Sequence, residues 1–140
     1  MSFHPVSHEI ELSVPFHHLD PMQIVWHGNY FKYFDQARFA LFDQVGIDLY
    51  QYFKEANCLF PIVKTATKHI IPLRYRDQFV CRATVAEAQA KIVIDFEIRR
   101  IPNGEVCTLA RSEQVAVRHP EMEMEFQIPA DVRRALGCGP

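Results

Sequence analysis

An aspartate and a histidine lie seven positions apart in the segment LDPMQIVWHGNYFKYFDQARFALF, which spans residues 19–42. The carboxylate of Asp20 is a group that can attack a carbonyl carbon or take a proton from water. His27 is followed by Gly28 and Asn29, and then by aromatic residues with helical spacing. The first turn of a helix offers unpaired backbone N–H groups and a positive dipole end. The segment therefore combines a carboxylate with a helix start that can stabilise negative charge on a carbonyl oxygen.

The same segment can be interpreted as a metal site, with His17, His18, Asp20 and His27 as ligands. Adjacent histidines at the end of a strand point to opposite faces, so His17 and His18 do not easily share one ion. The spacing also matches none of the usual zinc patterns. We therefore predict neither a metal nor a cofactor.

Several elements must position these residues. Alternating apolar residues predict a first strand over 9–16. From Asn29 the apolar spacing becomes that of an amphipathic helix, with Asn29 as its N-cap and Gly46 as the residue just after its end. Asp48 is expected to cap a short second helix.

The rest of the chain predicts sheet almost to its end. The Asn103-Gly104 pair is a strong hairpin signal, and residues 105–120 are expected to form one long strand. Pro129 is expected to open a final short helix. We predict one α+β domain over 1–140, in which an antiparallel sheet of about five strands wraps around one long helix. Pairing with a second subunit is one way to protect the edges of such a sheet.

Composition restricts the functional classes. Of the 140 residues, 49% are hydrophobic and 23% are charged, as in soluble globular proteins. A net charge of −2 gives no electrostatic case for nucleic acid, and the apolar runs are too short to span a membrane. The four cysteines are widely spaced and no signal peptide is visible, so we expect reduced thiols and a cytoplasmic location.

The pattern from Asp20 to Tyr30 resembles the hotdog-fold acyl-CoA thioesterases, and among them the 4-hydroxybenzoyl-CoA thioesterase or YbgC-type family. The helix that follows places Asp35, Ala37 and Arg38 where the family has an acidic residue, alanine and arginine. Residues 72–77 match its Pro-x-Arg-x-x-Asp link between strands. The resemblance covers nearly the whole chain.

This resemblance implies a metal-independent thioesterase for acyl-CoA, acting as a homodimer or homotetramer with active sites at the subunit interface. It implies that Asp20 is the nucleophile or the general base, and that backbone N–H groups at His27 or Gly28 face the thioester oxygen. The remaining expected substrate contacts are Asn29 and Tyr30 at the helix start. CoA phosphates favour Arg or Lys, and basic residues cluster at Arg74/Arg76, Arg99/Arg100 and Arg118/His119; of these we select Arg74 and Arg76.

Two other classes remain open at this stage. The first is a hotdog-fold dehydratase acting on CoA or acyl-carrier thioesters, although its histidine and acidic partner have a different order and spacing. The second is a non-catalytic acyl-CoA-binding protein. The sequence leaves open the acyl group, and whether CoA or an acyl-carrier protein bears it.

Overall fold

The structure is a computed structural model and describes residues 6–138. Residues 1–5, part of the segment considered for a signal peptide, lie outside the described residues. The elements, in chain order, are β1 (Ser7–Ser13), α1 (Tyr30–Gln44), α2 (Leu49–Ala56), β2 (Cys58–Leu59), β3 (Ile62–His69), β4 (Gln78–Glu87), β5 (Ile92–Ile101), β6 (Val106–Gln114), β7 (Val117–Arg118), β8 (Glu123–Met124) and α3 (Ala130–Ala135). Single 3₁₀ turns cover Phe16–His18 and His27–Asn29.

The main sheet has five antiparallel strands in the order β1-β4-β5-β6-β3. Alternation along β4 and β5 places one side chain in two on the inner face, where Phe79 and Phe96 are almost completely buried. These two rings contact Tyr33 and Phe34 of α1, with ring centroids 5.0 and 4.9 Å apart. The predicted α+β arrangement, a sheet of five strands around one long helix, is confirmed.

The long strand predicted over 105–120 is wrong, because the chain leaves the main sheet after Gln114. Gln114 pairs with Ile92, the first residue of β5, so the next residue has no β5 partner. The N–H of Val115 donates instead to the carbonyl of Pro61. The chain then enters a second sheet, of three strands, in the order β2-β7-β8.

The predicted helix ends are largely confirmed. Gly46 follows α1 with φ +82°, and the Asp48 side chain accepts the Gln51 N–H at 3.0 Å to cap α2. The first strand is shorter at its end than predicted, since the chain turns at Phe16. The four cysteines are free thiols. Among residues 6–138, the helices are too short or too polar to cross a membrane.

Candidate active site

Asp20 lies in a tight turn between β1 and α1. Its N–H donates to the carbonyl of Ile24 at 2.8 Å, and its carbonyl accepts the N–H of Gln23 at 2.9 Å. Its Oδ1 accepts the N–H of Met22 at 2.8 Å, which fixes the carboxylate relative to the turn. Within the described residues, Oδ2 has no hydrogen-bond donor. One oxygen of Asp20 is therefore held, and the other is available for chemistry.

The connection between β3 and β4 supports this turn. The N–H of Val25 donates to the carbonyl of Leu73 at 2.9 Å, and Ile24 forms a β-bridge with Arg74. The link that matches the family pattern at 72–77 thus anchors the turn that carries Asp20.

Asn29 ties the helix start to the chain before Asp20. It stands at the N-cap position, but its side-chain amide donates to the carbonyl of His18 at 2.9 Å, so the predicted side-chain cap is wrong. The 3₁₀ turn explains this, because Asn29 already has helical backbone angles (φ −72°, ψ −19°), whereas a capping residue is normally extended. The N–H groups of His27 and Gly28 have no acceptor among residues 6–138.

A cavity of about 320 Å³ joins Asp20 to the helix start. Its polar and aromatic walls are formed by Asp20, His27, Tyr30 and His69, and its apolar walls by Met22, Ile24, Val25, Ile70 and Pro72. The structure therefore brings together Asp20 and His27, which the sequence analysis singled out, and adds His69 from the end of β3.

Burial sets the protonation of the groups around this cavity. The pKa of His69 is lowered from its ordinary value, mainly by burial and also by the neighbouring His27. The pKa of the Tyr30 phenol is raised, first of all by burial. The Tyr30 ring packs edge-on against His69 with centroids 4.6 Å apart, and its oxygen accepts the Leu73 N–H at 3.2 Å. Tyr30 is thus a wall of the cavity with its hydroxyl turned to the backbone.

Four of the predicted site residues lie beside the cavity rather than in its lining. The position that a Cβ on Gly28 would take is filled by the indole ring of Trp26, so this glycine makes room for the chain's own side chain. Arg74 and Arg76 are exposed on the turn after Pro72. Asn29, described above, is buried behind the helix start.

His18 and Tyr33 form a partly buried hydrogen bond beside the cavity. Nδ1 of His18 lies 2.7 Å from the Tyr33 hydroxyl. Burial, then His17 and Lys32, lower the pKa of His18, while burial raises the pKa of Tyr33. The phenol therefore keeps its proton, and its hydrogen bond with the imidazole leaves His18 occupied as a structural group.

His69 was missed because no local signal identifies it. Thr65, Thr67 and His69 alternate on one face of β3, which sequence periodicity alone can show. That this face meets α1, and that the end of β3 meets the start of α1, follows only from the order of strands in the sheet.

A five-stranded antiparallel sheet around one long helix, with a carboxylate held at the helix start, defines a hotdog-fold protein. Residues 14–136 match the family model described as the thioesterase-like superfamily, and the chain belongs to that superfamily. The predicted family, fold and enzyme class, a thioester hydrolase, are thereby confirmed.

One curated relative and two solved structures illustrate the similarity. The chain is 28% identical over 127 residues to the chloroplastic acyl-acyl carrier protein thioesterase ATL3 of Arabidopsis thaliana, covering 90% of this chain and 65%, less than two thirds, of that protein. A 1,4-dihydroxy-2-naphthoyl-CoA thioesterase from Synechocystis superposes with a TM-score of 0.85 at 17% identity, over 93% of this chain and 95% of that one. The 4-hydroxybenzoyl-CoA thioesterase of Pseudomonas sp. strain CBS-3 gives a TM-score of 0.82 at 21% identity, over 92% and 98%.

Proposed function

We propose that this protein hydrolyses the thioester of an acyl- or aroyl-CoA to the free acid and CoA. Asp20 is the nucleophile or the general base, and backbone N–H groups at His27 and Gly28 polarise the thioester carbonyl. The observation that carries the proposal is one cavity lined both by Asp20, which has one oxygen without a donor among residues 6–138, and by His27 and Tyr30 at the start of α1.

The helix start supplies charge stabilisation without a metal. Two backbone N–H groups without an acceptor among residues 6–138 precede a helix of 15 residues, whose dipole is positive at this end. Negative charge on the thioester oxygen is stabilised there as the carbonyl carbon is attacked. Loss of one such donor typically costs roughly 3–4 kcal/mol of transition-state stabilisation.

The carboxylate of Asp20 can act in two ways. It attacks the carbonyl carbon, the C–S bond breaks, CoA leaves as its thiolate, and water hydrolyses the resulting mixed anhydride. Alternatively it takes a proton from water, the hydroxide attacks, and the proton passes to the departing thiolate. In both routes the products are the free acid and CoA, and no cofactor is consumed.

The proposed substrate class is a CoA thioester. The two solved structures named above are thioesterases of aroyl-CoA substrates, whereas the Arabidopsis relative is an acyl-acyl carrier protein thioesterase. We propose that Arg74 and Arg76, which are exposed on the turn that anchors Asp20, bind the CoA phosphates.

The assembly and the location are also proposals. We propose that residues 1–140 act as one domain in a homodimer or homotetramer, which covers the edge of the sheet formed by β3. This strand pairs on one side with β6, and its other side has no strand partner among residues 6–138. The four free thiols agree with a cytoplasmic location.

The test is release of CoA thiol from a panel of short, long and aromatic acyl-CoA esters, followed with a thiol reagent. We expect release by the wild type and a loss of about 10²-fold or more in kcat for Asp20→Asn, with unchanged folding. Asp43→Asn, which removes an exposed carboxylate at the far end of α1, is the matched control and should retain full activity.

Absence of thiol release across the whole panel would contradict the hydrolase function. Binding without turnover that survives Asp20→Ala would favour a non-catalytic acyl-CoA-binding protein instead. Addition or loss of water across the acyl chain, with the thioester intact, would favour the dehydratase class.

A further inference from the structure

His69 reaches the cavity from a different element than the other polar groups. It is the last residue of β3, it pairs with Thr108 of β6, and it shares a strand face with Thr65 and Thr67. Those threonines line the neighbouring cavity along α1, so this face of β3 is directed at the helix. The imidazole of His69 consequently stands at the wall of the cavity that holds Asp20.

The His69 ring is held by one aromatic contact and makes no side-chain hydrogen bond to the rest of residues 6–138. Its contact with the Tyr30 ring, at 4.6 Å between centroids and 68° between planes, sets its orientation. Among residues 6–138, no hydrogen-bond partner engages its ring nitrogens. Its pKa is lowered by burial and by His27, which keeps the imidazole neutral and able to accept a proton at neutral pH. By contrast, the partly buried His18 nearby is hydrogen-bonded to Tyr33.

We propose that His69 is the general base that activates the hydrolytic water, which makes Asp20 the nucleophile of the proposed thioesterase reaction. The assignment rests on that proposed function. In this assignment the two residues have separate roles. The carboxylate, which has a free oxygen, attacks the thioester carbon. The imidazole, whose ordinary pKa is near neutrality, takes a proton from water.

The two half-reactions balance. Asp20 Oδ2 bonds to the thioester carbon, the C–S bond breaks with its electron pair going to sulfur, and a mixed anhydride and CoA thiolate result. His69 then takes one proton from water while the water oxygen bonds to the acyl carbon of the anhydride. The bond between the acyl carbon and the Asp20 oxygen breaks, so the carboxylate of Asp20 is regenerated and the acid departs as its own carboxylate. Of the two protons lost by the water, one protonates the thiolate, and the other reaches solvent through His69.

Pre-steady-state kinetics of His69→Gln test this division. Because acylation of Asp20 does not need the base, mixing excess acyl-CoA with the variant should give a burst of about one thiol per active site. Slow turnover should follow, reduced about 10²-fold or more in kcat. The wild-type rate should fall on the acid side as an imidazole is protonated, and this limb should be missing in the variant. Asp20, His27 and Tyr30 are the other titratable groups lining the cavity, and the variant retains them.

The controls separate His69 from other histidines and from a structural effect. His8→Gln, on β1 and outside the cavity, should behave as the wild type. His69→Asn serves if the glutamine variant does not fold. The inference is overturned if both phases slow equally, if turnover is unchanged, or if His27→Gln gives the burst and His69→Gln does not. Failure of the wild type to release thiol would instead overturn the proposed function.

Discussion

The indole ring of Trp26 fills the space beside Gly28 in front of the helix start. A Cβ on residue 28 would overlap the indole ring, which is half exposed and able to rotate away. Gly28→Ala should therefore displace the ring at a cost of about 0.5–1.5 kcal/mol in the free energy of unfolding, the cost of an off-rotamer side chain. Trp26 is the chain's single tryptophan, so a red shift of its fluorescence should report the displacement directly.

The double variant Trp26→Ala/Gly28→Ala is the control for this prediction. With the indole removed, the added methyl group has room, and the double variant should match Trp26→Ala alone in stability and in kcat/KM. An alanine that remains equally costly without the indole would show that Gly28 is needed for another reason.

The hydrogen bond between His18 and Tyr33 predicts a measurable titration. The raised pKa of Tyr33 favours the phenol as the donor to the unprotonated imidazole, and a bond to the neutral form opposes protonation. Tyr33→Phe should raise the pKa of His18 toward its ordinary value, as followed by NMR titration of the imidazole protons. A decrease in the pKa of His18 would instead mean that Tyr33 is the acceptor.

The sequence predicts the site residues that are close to one another along the chain better than those that come from distant segments. Asp20 and His27 are separated by one turn and one short extended stretch, so their meeting follows from spacing. The amide of Asn29 was assigned to the helix because a 3₁₀ turn has no clear sequence signature. His69 is 42 positions from His27, and its position depends on the strand order of the whole sheet.

Among the elements, the starts of the two main helices provide a matched comparison. Asp48 caps α2 through the Gln51 N–H, whereas Asn29 precedes α1 and holds the His18 carbonyl. Asp48→Ala should lower stability by about 1 kcal/mol and leave kcat unchanged, since α2 does not line the Asp20 cavity. Asn29→Ala should cost a similar amount through its lost hydrogen bond, but should also lower kcat, because it loosens the connection between the two sides of the site.

Urea unfolding measures the stability of Asp48→Ala and Asn29→Ala, and thiol-release assays measure their kcat. Equal loss of kcat in the two variants would contradict a specific role for Asn29 in positioning. Asn29→Asp is a further control, because its carboxylate has no N–H to donate to the His18 carbonyl and should behave as the alanine variant does in activity.

The elements themselves were predictable where a residue type determines the local backbone. Gly46 has a positive φ after α1, and Asp48 caps the next helix, as their types indicate. The division between β6 and β7 was not predictable, since apolar residues continue through 115–117. It depends on the point at which β5 begins, and therefore on the register between two strands.

At the level of the whole molecule, two histidines make folding sensitive to acid. The pKa values of His18 and His69 lie below the ordinary 6.5 in the folded state, mainly because of burial, while the unfolded chain keeps the ordinary value. Between the lowered values and 6.5, the unfolded state binds more protons than the folded state. The free energy of unfolding should therefore fall as the pH decreases below 6.5, and level off once both histidines are protonated in the folded state as well.

Urea unfolding at closely spaced pH values from 7 downward measures this dependence. In the variant His18→Gln/His69→Gln, the free energy of unfolding should depend less on pH below 6.5 than it does in the wild type. A control with His8→Gln should keep the wild-type slope, and an equally steep slope in the double variant would contradict the assignment.

The proposed homodimer or homotetramer forms through the free edge of β3. An edge strand offers unpaired N–H and C=O groups to a second strand, and a charged side chain there opposes such pairing. Val63 is 55% exposed on β3, so Val63→Lys should break the proposed homodimer or homotetramer. Light scattering should then give the 16.3 kDa mass of one chain, whereas the wild type should give two or four times that mass. If the active sites lie at the interface, activity per chain should fall in the same variant. Glu11→Lys, on the opposite edge strand β1, should leave both mass and activity unchanged. A wild type of 16.3 kDa would contradict the assembly, and dissociation by Glu11→Lys alone would assign it to the other edge.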